Sequence, residues 1–425
     1  MARHTRSLTS TVHLLSHIST LLLIVSSLTS PAHAQSFQPA VQTGSSSAFV
    51  EGQVLYILGG TPPSGILYGT PTTTQAFSID LSVPWNASSP VYKKLSDGPS
   101  TWSRPSTLSS DNKNWFNLVN GTGYVYNVDS AAWSTVIPSN NNINTAYGLS
   151  AVTDPSTGLI YIPGGYLASK GDPTMLKIDL TKKSTESVAM SDLFGDYTAA
   201  WSASANSLIL YTESADPLNT YNPSKGWSHI SPKGDVPAPR TDACFIPAYG
   251  GKKMVLFGGY SRAQQASLND VYVLDVGSMR WTRGPDAPAT AKRDASACGF
   301  SSDYLVAWGG AVTGSDQGTL SGGTVLVYDV KNMAWSDGYD STGSPSNPDD
   351  PRRKAAVIGG SVLGVLTLIV LVLGGVYLYK TKWQREPRTG GEKNPGKKGF
   401  FSSILSKHSG QKPRREMSSK DTYYV

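Results

Sequence analysis

Arg240-Thr241-Asp242-Ala243-Cys244-Phe245-Ile246 opens a stretch that closes at Trp281, and its order of landmarks decides the fold. The opening is a strand, which Gly250-Gly251 turns into a second, Lys253-Met254-Val255-Leu256-Phe257, ending in Gly258-Gly259. A loop follows, and Asn269-Asp270-Val271-Tyr272-Val273-Leu274-Asp275 then leads to Trp281. Each landmark has a physical reason. Paired glycines let a strand leave its sheet with φ > 0 and pass close to neighbouring backbone, which a Cβ would block. An Asp or Asn at a strand end accepts hydrogen bonds from the turn amides just after it. Trp and Tyr at fixed offsets supply apolar area for the gap between packed sheets.

Working outward, the same order recurs. The strand-end Asp or Asn stands at Asp80, Asn127, Asp179, Asn222, Asp275 and Asp329, spaced 47, 52, 43, 53 and 54 residues apart. The Trp recurs at Trp85, Trp133, Trp227, Trp281 and Trp335, with Thr185 in the third copy. Gly-Gly is intact at Gly59-Gly60, Gly164-Gly165, Gly258-Gly259 and Gly309-Gly310. Copies two and four are degenerate: one offers only Gly121 and Gly123, and the other, around Thr212-Glu213, has lost the pair. Recurrence at a fixed period is the mark of a repeat array. The unit resembles a kelch repeat, the four-stranded blade of a β-propeller. The resemblance implies an all-β, six-bladed kelch-type β-propeller over residues 35–340. Short apolar runs such as Val54–Leu58 and Leu208–Tyr211 agree, since they suit strands buried on both faces. A ring must close. After Trp335 the chain turns polar (Ser336-Asp337-Gly338), so the expected outer strand of the last blade is Phe37 to Gln42.

The ends of the chain read differently. Residues 1–34 form a secretory signal: Arg3 and Arg6, the apolar Leu21–Val25, and Ala32-His33-Ala34 as a cleavage site. Residues 341–354, rich in Ser and Pro, make a stalk. Residues 355–379 form an uncharged run of 25, long enough to cross a bilayer as one helix. Residues 380–425 hold twelve Lys/Arg against four Asp/Glu, a disordered basic tail placed on the cytoplasmic side by the positive-inside tendency. The expectation is a single-pass type I membrane protein of the plasma membrane or another secretory-pathway membrane, propeller outside or lumenal.

Charge follows this division. The whole chain carries +6, but residues 35–351 contain 19 Lys/Arg and 26 Asp/Glu. The positive balance belongs to the tail and membrane flanks. It fits attraction to anionic inner-leaflet lipid and gives no reason to expect nucleic-acid binding. In the tail, Phe400–Leu405 sits among lysines, either on the inner leaflet or in solvent. Arg414–Ser418 resembles a basophilic kinase site and Tyr423-Tyr424-Val425 a PDZ-binding end.

Some kelch propellers resemble galactose oxidase, whose copper-radical site needs two His ligands, two Tyr and a Cys. His229 is the sole histidine between Gln35 and Pro351, so that site cannot be built. Ser96–Trp102 looks like a sialidase Asp-box but misses its spacing and occurs once. No zinc spacing, Gly-x-Ser-x-Gly or phosphate loop stands out, and no cofactor is expected. Recognition of an extracellular protein or glycan is the favoured reading. A cell-surface carbohydrate-active enzyme and a structural surface glycoprotein remain alternatives.

Three sets of residues carry further expectations. Cys244 and Cys298 lie in the first strands of successive blades, where they either form a disulfide or serve as small buried residues. Asn86 and Asn120 head N-glycosylation sequons at expected turns. In a four-stranded meander the second-to-third-strand loops and the blade-to-blade links share one face. The candidate ligand-binding residues there are Tyr68, Arg104, Tyr166, Arg240, Tyr260, Arg262 and Arg293. For Arg104, Arg240 and Arg293 the other reading is that each ties blades together through backbone carbonyls.

Overall fold

In a computed structural model of the protein, the repeats become six antiparallel meanders set around a central channel. The structure describes residues 37–62, 72–103, 105–167, 173–192, 196–213, 216–313 and 324–342. The chain divides into two units, residues 1–348 and 349–425, and every described residue falls in the first. The signal, the apolar run 355–379 and the tail with its motifs therefore lie outside the described residues. Among those described, no helix is long and apolar enough to cross a membrane.

Blade 1 runs Ser46–Val50, Val54–Leu58, Ala76–Asp80, Tyr92–Lys94, and blade 2 Ser106–Leu108, Asn114–Val119, Thr122–Asn127, Ala132–Ile137. Blade 3 runs Val152–Thr153, Ile160–Ile162, Thr174–Asp179, Ser184–Ala189, and blade 4 Tyr197–Ser202, Ser207–Thr212, Leu218–Asn222, Gly226–Ile230. Blade 5 runs Cys244–Ala248, Lys253–Phe257, Val271–Asp275, Arg280–Arg283, with Lys233–Gly234 added in parallel at its outer edge. Blade 6 runs Ala297–Ser301, Tyr304–Trp308, Val325–Asp329, Ala334–Ser336. The first strands contact one another in the cyclic order of blades 1 to 6 and back to 1, so the ring is closed.

The degenerate copies fold into complete blades all the same. Periodic strands, rather than the glycine corner, are what make a blade. The core is distributed over the seams: apolar clusters fill the gaps between blades 1 and 2, 2 to 4, 4 and 5, 5 and 6, and 6 and 1. Second strands lie at the middle of each sheet, and Leu55, Ile57, Leu208, Val255, Leu256 and Val306 are fully buried there.

All six strand-end Asp or Asn residues do the job expected of them. Oδ1 accepts from the amide of Ser82 at Asp80, Ser130 at Asn127, and Thr181 and Lys182 at Asp179. It accepts from Ser224 and Lys225 at Asn222, Ser278 at Asp275, and Asn332 at Asp329. The tryptophans add a pattern of their own. The indole Nε1 donates across a seam to the preceding blade at Trp133 (Ser96 O, 2.9 Å), Trp227 (Ala189 O, 3.0 Å) and Trp335 (Pro285 O, 2.8 Å). The blades are thus latched in pairs, 1 with 2, 3 with 4 and 5 with 6.

Ring closure differs from the expectation. Ala334–Ser336 supplies the outer strand of blade 6, pairing Tyr328 with Trp335, and Phe37 to Gln42 forms no strand. The physical reason is that outer strands have one packed face only. That of blade 1, Tyr92–Lys94, is as exposed as Ala334–Ser336. The N-terminal segment closes the ring by another route: Gly310 N donates to Gln42 O at 2.9 Å, as Gly259 N donates to Arg293 O at 3.0 Å one blade earlier. Tyr339 then seals the seam. It stacks on Trp85 with centroids 5.1 Å apart, and its hydroxyl donates to Leu81 O at 2.7 Å.

Candidate functional site

Meander order brings the blade-to-blade links and the second-to-third-strand loops to one end of the channel. The links form a rim there. Ala295 N donates to Asp242 O (2.8 Å), Gly44 N to Ala295 O (2.9 Å), Ser103 N to Gly44 O (2.6 Å) and Gly148 N to Ser103 O (3.2 Å). Each residue stands just before the first strand of its blade, with φ of 52°, 50°, 66°, 46° and 74° at Asp242, Ala295, Gly44, Ser103 and Gly148. A left-handed non-glycine residue costs roughly 1–2 kcal/mol, and the rim hydrogen bonds hold Asp242, Ala295 and Ser103 in that form. Asp196 comes next: a methyl group added at Gly148 would lie 2.9 Å from Asp196 Oδ1. Trp102 and Tyr147, each one residue before a rim member, meet edge to face at 4.8 Å.

Below the rim the channel holds a cavity of about 590 Å³ walled mainly by small and hydroxyl-bearing residues of the first strands. Its charged lining residues among those described are Asp196 and Asp242 at this mouth and Glu51 at the other. Burial pushes the Asp242 carboxyl up to about 6, and the carboxylates of Asp294 and Asp196 push the same way, against Thr241 and Arg262. Water reaches Asp242 from the channel while protein surrounds it laterally. Asp294, buried behind it, accepts from Ser267 Oγ at 2.5 Å, and its own carboxyl is raised chiefly by burial.

The second-to-third-strand loop of blade 5 rises beside this mouth as a small hairpin, Tyr260–Ser261 against Ala266–Ser267. Both neighbours clamp it. Arg262 reaches Asp196 at 3.0 Å and Glu213 at 2.6 Å on the blade 4 side. On the blade 6 side Ser267 N donates to Thr313 O, and Thr313 N to Ser267 Oγ. The tip, Ala263-Gln264-Gln265, is left exposed.

A family model described as the KLHDC2/KLHL20/DRC7 Kelch-repeats domain matches residues 216–408. With six four-stranded blades in a closed ring, the architecture agrees. The chain carries a kelch-repeat β-propeller domain. Its similarity to curated proteins is local. It is 31% identical over 111 residues to the Caenorhabditis elegans protein tag-53, covering 24% of this chain and 8% of that one. It is also 31% identical over 112 residues to acyl-CoA-binding domain-containing protein 5 of Arabidopsis thaliana, covering 26% and 16%. The matched stretch therefore spans less than a fifth of either relative.

The kelch domain sorts the residues singled out from the sequence. Arg240 and Arg293 are in its wall, 2% and 1% exposed, so neither is open to a ligand. Their hydrogen bonds correspond. Nε donates to Ala238 O (3.0 Å) or Ala291 O (3.2 Å), and Nη1 to Gly258 O (3.1 Å) or Gly309 O (3.2 Å). Each arginine thus pins the start of a blade to the glycine corner of that blade. Burial pulls Arg240 down, but the hydrogen bond and charge of Asp270 outweigh it and its guanidinium ends above the usual value. Thr324 matches Asp270 in blade 6 and offers Arg293 its carbonyl. Burial lowers Arg293 to about 10, still charged at neutral pH.

Tyr260 and Arg262 share the blade 5 hairpin. Tyr166 lies farther round, paired with Ile143 at the blade 3 corner. Tyr68 and Arg104 lie outside the described residues. Asn86 is exposed on a short strand against Gly338, and Asn120 is exposed in the two-residue turn of blade 2. The sulfurs of Cys244 and Cys298 meet within bonding distance across the blade 5–6 seam, with Cα atoms 6.0 Å apart, a separation that suits a disulfide. His229 pairs with Asn219 at 2.7 Å on the outer strand of blade 4. Among the described residues no His/Cys/Asp/Glu group is placed to hold a metal ion.

Sequence reasoning missed Asp196, Asp242, Trp102 and Tyr147. One signal for Asp242 was available. Laying Arg240-Thr241-Asp242 over Arg293-Asp294-Ala295 sets a carboxylate where the next copy has a methyl group.

Proposed function

We propose that this protein is a single-pass type I membrane protein whose kelch domain, outside the cell or in the secretory lumen, binds a protein through the face around the channel mouth. Kelch propellers are in general protein-binding modules. The observation that carries the choice of face is the blade 5 hairpin, held by ion pairs on one side and hydrogen bonds on the other, with its tip exposed beside the cavity. A loop fixed in place loses little entropy on docking, which is how a rigid scaffold turns a loop into a binding element. The basic tail would lie on the cytoplasmic side, near anionic lipid.

A photo-crosslinking residue at Gln264, compared with one at Ser278 on the opposite face, tests the reading. Covalent adducts with an extracellular or lumenal protein are expected from Gln264 alone, and adducts from Ser278 alone would overturn the choice of face. Orientation is tested by protease added outside intact cells. Degradation of residues 35–351 with a protected tail epitope is expected, and loss of the tail epitope with a protected propeller would reverse it.

A further inference from the structure

Blade 1 departs from the other five on the face opposite the channel mouth. Its third and fourth strands are joined by residues 81–91, where the other blades use only 128–131, 180–183, 223–225, 276–279 and 330–333. The long loop is anchored at Asp80. Trp85 Nε1 donates to Asp80 O at 2.6 Å, Asp80 N to Val91 O at 2.9 Å, and Ser82 N to Asp80 Oδ1 at 2.8 Å. Within the loop Trp85-Asn86 pairs with Gly338-Tyr339, and Ala87 N donates to Asp337 O at 2.8 Å. Side chains alternate along such a ribbon. Trp85 turns inward onto Tyr339, and Asn86 turns out to solvent.

We propose that Asn86 carries an N-linked oligosaccharide, which covers the apolar surface of this loop. The proposal rests on the secretory reading above, because the transfer takes place in the secretory lumen. Asn86-Ala87-Ser88 has the Asn-x-Ser order that the transfer needs, and Asn86 and Ser88 are both exposed. The same loop holds Val83 and Val91, 40% and 43% exposed, two of the five exposed large apolar side chains among the described residues. A sugar ring has apolar C–H faces as well as hydroxyls, so an oligosaccharide rooted at Asn86 can lie over the valines and still meet water. The outgoing chain lies on this face too: Ser302 Oγ, in the first-to-second-strand turn of blade 6, donates to Ser341 O at 2.9 Å. A glycan placed here leaves the mouth open to a partner. In the transfer, Asn86 Nδ2 bonds to the anomeric carbon of an oligosaccharide held on a lipid pyrophosphate. The bond from that carbon to the pyrophosphate oxygen breaks, the lipid pyrophosphate departs with the electron pair, and Nδ2 gives up one proton.

Expression of the full-length chain in eukaryotic cells tests this, with glycopeptide mass spectrometry and gel mobility before and after peptide N-glycanase. The peptide spanning Asn86 is expected to carry an oligosaccharide that the enzyme removes, converting the Asn86 amide to a carboxylate. Ser88→Ala should lose the oligosaccharide and Ser88→Thr should keep it. Ser88→Ala should also bind more hydrophobic dye at unchanged Tm, and adding Val83→Ser and Val91→Ser should abolish the increase. Equal dye binding by the wild type and Ser88→Ala would overturn the covering role. Sugar at Asn120 alone would overturn the assignment to Asn86 and leave the secretory reading intact. An unmodified chain whose propeller is protected from protease in sealed microsomes would do the same. An unmodified chain whose propeller is digested there would sink the secretory reading, and this proposal with it.

Discussion

Blades 5 and 6 and the arc of blades 2 to 4 reach the same four-stranded form by different chemistry. In blades 5 and 6 every corner is fixed by backbone proximity. Gly258 and Gly309 have left-handed φ of 62° and 65°, and a methyl group there would strike Arg293 O at 2.5 Å or Gln42 O at 2.4 Å. Buried Arg240 and Arg293 fasten the same corners, and the two cysteines face each other across the seam between these blades. In the arc no corner glycine is pressed against the backbone of the link to the next blade. Gly164 has the same φ of 69°, yet a methyl group there meets only Leu149 Cδ2 at 3.8 Å. Blade 2 turns through Asn120-Gly121, and blade 4 has no glycine pair. The arc is held instead by one apolar cluster running from Phe116 to Tyr221. Seam packing is therefore enough to make a blade, and tight glycine corners are an added fastening in blades 1, 5 and 6, joined in blades 5 and 6 by arginine pins.

The largest expected effect is at the cysteines. Bridging two residues 54 apart stabilises by up to about 4 kcal/mol in the chain-entropy account, so Cys244→Ser with Cys298→Ser should lower the urea midpoint strongly. A thiol count of zero on the unfolded, unreduced chain should accompany this, and a count of two would show the pair unbridged. Next come matched alanines at the two kinds of corner. Gly164→Ala should cost roughly 1 kcal/mol for its left-handed φ. Gly309→Ala shares that strain and should cost about 1–3 kcal/mol more for the clash with Gln42 O. Equal costs in urea titrations would remove the distinction between the two halves.

The smallest effect concerns Asp242. Its carboxyl is raised in the fold, from the ordinary 3.8 to about 6. The native state therefore holds a proton that the unfolded chain releases, and stability attributable to this group falls as pH rises between those values. Asp242→Asn should raise Tm slightly at pH 7 and leave it nearly unchanged at pH 3. A lower Tm at pH 7 would show that ionised Asp242 holds the fold together.

What was legible in the sequence was what is local. Asp275 caps its own turn, three residues away from the amide it accepts. Leu208 and Val255 lie in short apolar runs that suit strands buried on both faces, and the repetition of such runs with the other landmarks pointed to the six-bladed fold. Arg240 and Arg293 were also visible, but their role was not: exposed anchor and buried pin share one sequence pattern, and the carbonyls of Gly258 and Gly309 decide between them. Closure was misjudged because the outer strand was sought after Trp335, in Ser336-Asp337-Gly338, whereas the strand that completes blade 6 is the short Ala334–Ser336 with Trp335 at its centre.

By itself, then, the sequence determined the repeat, its count and the strand order, because each landmark acts on residues within a few positions of itself. Only the tertiary structure decided how the ring closes and which residues share the channel mouth. Asp196 and Asp242 are separated by a whole blade in the chain, and Gly44 and Ala295 by nearly the entire ring. They meet because six wedges packed seam to seam bring every first strand to one axis, and no local signal records that distance.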